Sequence, residues 1–108
     1  MLEVLQTERY ARWFKSLRDC APRSELSLDR EAKARINVRI RRLSMGNPGD
    51  VKPVGQGVSE LRINYGPSYR VYFVQRGETV VVLLAGGNKR TQSLDIKIAI
   101  ELARELDQ

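Results

Sequence analysis

The chain contains 108 residues, enough for one hydrophobic core and too few for two, so a single domain over residues 1–108 is expected. Apolar residues make up 42% of the chain and charged residues 30%, as in an ordinary globular protein. No apolar run approaches the roughly 20 residues that cross a bilayer, and the opening MLEVLQTERYARWF lacks the apolar block of a signal peptide. A cytoplasmic protein without membrane contacts is therefore expected.

Scarce and abundant residue types limit the chemistry. With Cys20 as the only cysteine and no histidine, the sequence excludes disulfides within the chain, metal cages of thiolates or imidazoles, and His-based catalysis. We expect no metal and no cofactor. The 19 Lys and Arg residues outnumber the 13 Asp and Glu residues by six, which favours polyanionic partners if the cations gather on one face.

The first 19 residues predict a strand followed by a helix. Residues 2–6, LEVLQ, resemble a short strand, and Thr7 can cap a helix after it. This helix carries one stripe of large apolar residues at helical spacing: Tyr10, Trp13, Phe14 and Leu17. Such a stripe is more typical of a packed core than of a ligand site. The following segment, CAPRSELS, is predicted to be a linker.

A second helix is predicted from Ser27 or Asp29 to Met45, ending where Gly46 can adopt a left-handed cap and Pro48 prevents continuation. Its inward positions are Ala32, Ile36, Ile40 and Leu43. Its outer face is cationic, with Lys33, Arg35, Arg39, Arg41 and Arg42. Two interpretations stay open for this face: a solvated surface, or a nucleic-acid contact in which Arg35, Arg39, Arg41 and Arg42 follow the phosphates.

From Asp50 onward, short β-branched runs separated by glycine-containing turns predict strands. We expect an antiparallel meander of residues 58–64, 69–75 and 79–85, with the helices at 8–18 and 29–45 packed on one side. The run VVVLLA is apolar on both faces, as in a central strand. A last helix over residues 93–106 has one apolar stripe, at Ile96, Ala99, Ile100 and Ala103. The order β-α-α-β-β-β-α indicates an α+β fold.

Alternation along two of these strands collects polar residues on one face of the sheet. If Leu61, Ile63, Val71 and Phe73 face the core, the opposite face receives Glu60, Arg62, Asn64, Arg70 and Tyr72. A five-residue loop at 65–69 would place Asn64 opposite Arg70 and Arg62 opposite Tyr72. With helices on one side only, this second face would be a shallow polar surface. Truncation of Arg70 there is expected to remove charge without opening the core.

Further cations are expected to join this surface at the ends of neighbouring strands. Lys52 stands before Pro53, and Lys89 with Arg90 follows the central strand. Cations around one acid and a tyrosine suit a phosphodiester and the charge that develops on it during cleavage. The alternative is an ion-paired sheet face without function, because exposed pairs contribute only about 0 to 1 kcal/mol.

The chain resembles the HigB-like branch of the RelE/ParE toxin superfamily, the addiction-module killer proteins. The resemblance rests on GDVKPVG, on ELRINYGPSYRVYF and on LLAGGNKRTQSLDI, and it covers nearly the whole chain. It implies a RelE-like α+β fold, in which two N-terminal helices pack on a small antiparallel sheet of about four strands, plus a C-terminal helix. It also implies the toxin of a type II toxin-antitoxin pair.

The resemblance further implies an activity: endonucleolytic cleavage of mRNA on the ribosome without a metal, which leaves a cyclic phosphate and blocks translation. The residues that match the site of this mRNA interferase family are Lys52, Glu60, Arg62, Arg70, Tyr72, Lys89 and Arg90. In this comparison Arg70 grips the scissile phosphate, Arg62 stabilises charge, and Glu60 or Lys52 activates the 2′-hydroxyl. Many relatives carry a His or Tyr general acid near Ile96, so a cation or Tyr72 would protonate the leaving group here.

The implied partners are a HigA-like antitoxin with a helix-turn-helix, and mRNA on the ribosome; a hetero-tetramer with the antitoxin is one arrangement that the resemblance allows. The segment from Cys20 to Glu31 is longer than is typical, and Ser68 replaces a usual glycine. Two other functions stay open. ParE-like members of the superfamily inhibit DNA gyrase by binding, and the chain could be a non-catalytic module that binds nucleic acid or a protein.

Overall fold

The computed structural model describes residues 2–19 and 26–106. Its elements are β1 (Glu3–Gln6), α1 (Glu8–Asp19), α2 (Leu26–Ser44), β2 (Val51–Gly55), β3 (Val58–Ile63), β4 (Tyr69–Arg76), β5 (Val80–Asn88) and α3 (Gln92–Leu106), with a 3-10 turn at Lys89–Thr91 between β5 and α3. The predicted α+β fold with a C-terminal helix is confirmed. The linker predicted at CAPRSELS falls largely on residues 20–25, which lie outside the described residues.

The strands form one sheet in the order β1-β5-β4-β3-β2. The predicted meander of three strands is confirmed as β3, β4 and β5, although β5 continues to Asn88. The sheet has five strands rather than about four, and it is mixed because β1 runs parallel to β5. The run from Val51 to Ile63 divides into β2 and β3 because Gln56 and Gly57, both with positive φ, make a two-residue hairpin turn.

Apolar clusters lie on both faces of the sheet. The face under α1 and α2 buries Tyr10, Ile36, Leu43, Leu61, Ile63, Val71, Phe73, Val81 and Leu83. The other face packs against α3 and buries Val58, Tyr72, Val74, Val82, Leu84, Ala85, Ala99 and Ala103. The stripes predicted for the three helices therefore lie in the core, and β5 is buried on both sides as the run VVVLLA indicates.

The expectation of an open second face is wrong. Helix α3 lies over it and contacts β3, β4 and β5. The helix can lie there because the small residues Ala85, Ala99 and Ala103 let the helix and the sheet approach closely. As a result, the polar residues of this face lie partly beneath a helix instead of in a shallow surface.

The pairing of β3 with β4 differs by two residues from the predicted register. Arg62 lies opposite Arg70, and Glu60 lies opposite Tyr72. The loop is shifted because Tyr69 already belongs to β4, opposite Ile63, and the turn before it is closed by the Ser68 amide, which donates to the Tyr65 carbonyl at 3.1 Å. A shift of two residues keeps every side chain on its predicted face, so Arg62 and Arg70 share one face as expected.

Two adjacent glycines in β5 allow close packing on opposite faces. A Cβ atom at Gly86 would overlap the Trp13 ring, and one at Gly87 would overlap the Asp95 carboxylate. The strand predicted at residues 79–85 ends before these glycines. In the structure β5 continues through them because both glycines are needed to seat a helix on each side.

Both predicted helix caps are present. The Tyr10 amide donates to the Thr7 hydroxyl oxygen at 3.1 Å, which is a helix N-cap. At the end of α2, Gly46 has φ +85 and its amide donates to the Leu43 carbonyl, while the Asn47 amide donates to the Arg42 carbonyl. This pair of bonds is a Schellman motif. Within residues 2–19 and 26–106, no helix is long and apolar enough to cross a membrane.

We expect Thr7→Ala to lower the free energy of unfolding by about 1 to 2 kcal/mol. The hydroxyl caps α1 and also donates to the Leu84 carbonyl at 2.6 Å, so its loss frees groups on both α1 and β5. Urea denaturation followed by circular dichroism measures the change. Thr79→Ala, at an exposed turn, is the matched control and should change stability by less than about 0.5 kcal/mol.

Candidate functional site

Three of the residues predicted for the site meet beneath the start of α3. The Glu60 carboxylate on β3 accepts hydrogen bonds from Arg70 Nη1 at 3.0 Å and from the Tyr72 hydroxyl at 3.1 Å. Glu60 is 1% exposed and Tyr72 is fully buried. Alternation along β3 and β4 explains this meeting, since Glu60 lies directly opposite Tyr72.

Gln92 completes this group, and the sequence analysis missed it. Its Nε2 donates to Glu60 Oε2 at 2.8 Å, so both carboxylate oxygens are occupied and a residue of α3 is tied to the sheet. Gln92 is the first residue of α3, immediately after the turn at Lys89–Thr91. The only sequence signal was its place between a glycine-rich strand end and an apolar helical stripe, which does not by itself indicate a contact with β3.

The pair formed by Arg70 and Glu60 is buried, which changes the expected role of Arg70. The Arg70 side chain is 11% exposed, and its Nε is buried without a hydrogen-bond partner. Removing one partner of a buried ion pair leaves the other charge uncompensated, which costs about 3 to 5 kcal/mol. The expectation that Arg70 lies on an exposed face is therefore wrong, and we expect its truncation to destabilise the fold.

Tyr72 is held in its protonated form. Burial raises the pKa of its phenol well above the ordinary value, and the nearby negative charge of Glu60 and the hydrogen bond to that carboxylate raise it further, against a smaller opposing effect of Arg70. The hydroxyl is thus a hydrogen-bond donor to Glu60. Because the ring is fully buried, a substrate outside the protein cannot reach this proton in the observed arrangement.

The remaining predicted cations lie at the surface around this buried group. On β2, the exposed Lys52 stands opposite Glu60, and on β3 Arg62 stands opposite Arg70. Arg62 is 40% exposed, and its Nε lies 3.8 Å from Asp50 Oδ2. Lys89 and Arg90 are exposed in the turn after β5. One end of the sheet therefore carries exposed cations on strands β2 and β3 and beyond β5.

The turn that carries Lys89 and Arg90 has a defined conformation. The Asn88 side chain accepts from the amides of Arg90 and Thr91, at 2.8 and 3.3 Å. The Lys89 amide also donates to the Pro67 carbonyl at 3.5 Å, which joins this turn to the loop between β3 and β4. Both cations are thus attached to a short turn fixed at the end of the sheet.

The α2 arginines are not part of this group, because α2 packs on the other face of the sheet. Arg39 donates to the carbonyls of Arg62, Pro48 and Asp50 at 2.6, 3.0 and 3.2 Å, so its guanidinium fixes the chain between α2 and β3. Arg35 pairs with Glu31 at 3.1 Å and lies 4.4 Å from the centre of the Tyr65 ring. Arg41 and Arg42 are exposed. A nucleic-acid contact by these four residues stays a prediction.

In the part of the chain that the structure describes, no group of three or more Cys, Asp or Glu residues is arranged to hold a metal ion.

The family model for phage derived protein Gp49-like (DUF891) matches residues 26–106, which include α2, all strands of the meander and α3. The chain belongs to this family. An uncharacterized protein of Haemophilus influenzae is 55% identical over 75 residues, which is 69% of this chain and 76% of that protein. The Gp49-like family is RelE-like and toxin-like, so the resemblance to that superfamily is confirmed, and the HigB-like branch stays a prediction.

Arg62 and Arg70 offer a matched pair, because they lie opposite each other on adjacent strands. We expect Arg70→Ala to lower the free energy of unfolding by about 3 to 5 kcal/mol, since Glu60 would lose its buried cation. Arg62→Ala, which removes a half-exposed side chain, should cost less than about 1 kcal/mol. Equal losses in chemical denaturation of the two variants would contradict the buried pair.

Stability should fall in alkaline solution. Burial raises the pKa of both Tyr10 and Tyr72 above the value near 10 of an exposed phenol, so the unfolded chain loses these protons first as the pH rises. The stability that the neutral phenols contribute is complete below about pH 10 and is lost above it. Denaturation at a series of pH values should show a weaker alkaline loss in Tyr72→Phe, and the weakest in the variant that also carries Tyr10→Phe. An unchanged pH slope in both variants would argue against this account.

Proposed function

We propose that this Gp49-like protein is the toxin of a type II toxin-antitoxin pair of the HigB-like kind, and that it cleaves mRNA on the ribosome without a metal. The proposal depends on one observation: exposed cations from β2, β3 and the turn after β5 lie at one end of the sheet around the buried pair of Arg70 and Glu60. Such an arrangement suits the phosphates of a single-stranded RNA. A HigA-like antitoxin with a helix-turn-helix is the proposed partner, and the net charge of +6 would speed its approach if it is acidic.

The proposed reaction is an internal transfer at phosphorus. The ribose 2′-oxygen forms a bond to the adjacent phosphorus, and the bond from phosphorus to the 5′-oxygen breaks. The 2′-hydroxyl gives its proton to water, since the Glu60 carboxylate is occupied, and the 5′-oxygen takes a proton from a lysine ammonium. The products are a cyclic 2′,3′-phosphate and a free 5′-hydroxyl. Fixed cations lower the barrier because they stabilise the charge that builds up on the phosphoryl oxygens.

Within this proposal, the exposed cations contact the substrate. Arg62 and Lys52 stand on neighbouring strands and would hold the scissile phosphate, and Lys89 or Arg90 would hold a flanking phosphate. A lysine ammonium is also the accessible proton donor for the 5′-oxygen. Arg70 would present its exposed edge to the same phosphate, since part of its side chain reaches solvent.

Glu60, Tyr72 and Gln92 would act as positioning residues. Three donors occupy the Glu60 carboxylate, so it has no free oxygen directed at a substrate proton. Its contribution would be to orient the Arg70 guanidinium, because a residue that contacts a ligand is held in place by hydrogen bonds from the residues behind it.

The burial of Glu60 and Tyr72 favours a second candidate function. If catalysis needs the Glu60 carboxylate or the Tyr72 phenol in contact with the substrate, neither group is accessible in the observed arrangement. A toxin that only binds its target, such as a ParE-like inhibitor of DNA gyrase, would need no such group. The two functions differ in their target, which is mRNA for the nuclease and DNA gyrase for the inhibitor.

Neutralising the exposed cations tests the proposal without disturbing the core. We expect Lys52→Gln and Arg62→Gln each to lower the rate of mRNA cleavage by about a hundredfold, because each removes charge stabilisation from the transition state. Induced expression, with growth curves and primer extension on a reporter mRNA, gives the measurement. Lys15→Gln, an exposed change on α1 on the other side of the sheet, should retain full toxicity.

Three results would decide between the candidates. Cleaved message in the unaltered protein and intact message in the two variants would support the nuclease. Growth arrest with intact message and loss of plasmid supercoiling would replace it with the gyrase function. If no form of the protein arrests growth, the proposed toxin function is wrong.

A further inference from the structure

A cleft of about 450 Å³ lies between α1 and the start of α3, beside the cationic end of the sheet. Its floor is formed by β5 at Gly86–Asn88. The cleft exists because β1 stops at Gln6, opposite Leu83, so the last residues of β5 pair with β4 on one side and have no described strand on the side of β1. None of the residues that line the cleft is among the predicted site residues.

Two cations lie on the α1 wall of the cleft. Arg9 and Arg12 line it, and both are exposed. The contact of Arg12 with Glu8 is long, at 3.9 Å, and both side chains are more than 70% exposed, so it restrains Arg12 little. The pair is therefore available to bind an anion such as a phosphate.

A buried carboxylate lies on the opposite wall. Asp95 lines the cleft but is only 6% exposed, and its Oδ2 accepts a hydrogen bond from the Thr91 hydroxyl. The other oxygen remains as an acceptor. The carboxylate can lie against β5 only because Gly87 has no side chain. Burial raises the pKa of Asp95, and the charge of Arg9 partly opposes that effect.

The cleft thus combines exposed cations on one wall with a buried acceptor on the other. A simple anion would meet the arginines but would be repelled by Asp95. A ligand that fits both walls carries a negative group and, a few ångströms away, an N–H donor. In nucleic-acid recognition, an acidic side chain accepts from the exocyclic amino group of a base such as cytosine, whereas uracil offers a carbonyl oxygen at the same position. Single-stranded RNA exposes these base edges.

We propose that this cleft binds one nucleotide of the RNA substrate, with the phosphate on Arg9 and Arg12 and a base amino group on Asp95. The inference rests on the proposed RNA function and adds to it a base preference: cytosine over uracil. Because the cleft adjoins the turn with Lys89 and Arg90, a strand could pass from the cationic end of the sheet into it.

The chain offers its own probe for this site. Trp13 is its only tryptophan and lines the cleft, so its fluorescence reports on an occupant directly. We expect cytidine 5′-monophosphate to change the emission of the purified protein with saturation, and uridine 5′-monophosphate to bind at least about fivefold more weakly, because it lacks the amino donor. Free tryptophan amide in the same solutions corrects for light absorbed by the nucleotides.

Variants test each wall separately. The double variant Arg9→Gln and Arg12→Gln should bind both nucleotides about tenfold or more weakly, since the phosphate loses its partners. Asp95→Asn should remove the preference for cytidine while it retains binding, because the amide can donate to the uracil carbonyl as readily as it accepts from cytosine. Lys97→Gln, an exposed change on α3 outside the cleft, should alter neither affinity.

Each outcome bears on the proposal. No saturable change with either nucleotide would overturn it. Equal binding of cytidine and uridine monophosphates, or of inorganic phosphate alone, would show an anion site without base recognition and would also overturn it. Because the fluorescence assay needs no cleavage, it tests the cleft separately from the nuclease. If a protein that does not bind nucleotide still cleaves mRNA, only the proposal for the cleft is refuted. If the changes at Lys52 and Arg62 abolish cleavage but not nucleotide binding, the proposal for the cleft stands.

Discussion

The hydrogen bonds to the buried Glu60 carboxylate determine how the sheet and the last helix are assembled. Arg70 and Tyr72 reach this carboxylate from β4, and Gln92 reaches it from α3, so one side chain of β3 connects three elements. A buried carboxylate is costly unless its charge and both oxygens have partners. The condition is met only when β3 and β4 pair in the observed register and α3 begins beside them.

This constraint divides the cations of the sheet face into two groups. Arg70 is offset by Glu60 and contributes little net charge, whereas Arg62 and Lys52 stand outward on the same face. The net positive charge at this end of the sheet therefore comes from exposed side chains, next to one arginine that a buried partner holds in place.

Much of the fold could be predicted from local patterns in the sequence. Helical spacing identified Ile36 and Ala99 as core residues, and alternation placed Glu60, Arg70 and Tyr72 on one face. Alternation is a property of each strand alone, so it survives an error of two residues in the pairing. The caps at Thr7 and Gly46 were also predictable, because each depends on a single residue type at a helix end.

What could not be predicted depends on contacts between distant parts of the chain. Nothing in the stripe of α3 indicates which face of the sheet it covers, so the burial of Glu60 was missed. Gln92 contacts a residue 32 positions away, and a glutamine in a first helical turn has many other uses. Gly86 and Gly87 lie beyond the strand predicted at 79–85, and only the Trp13 ring and the Asp95 carboxylate packed on them explain why they belong to β5.

The two outer strands of the sheet have a further consequence for how the protein behaves at high concentration. Strand β2 forms one edge and contains Pro53, which has no amide hydrogen to offer, next to the exposed Lys52. The opposite edge, β1, has four residues, and helices flank the open part of β5 beyond it. Short, charged or proline-containing edges are poor templates for the edge-to-edge pairing that leads to aggregation. Fibrous self-assembly through this sheet is therefore disfavoured, although its central strands are among the most apolar segments of the chain.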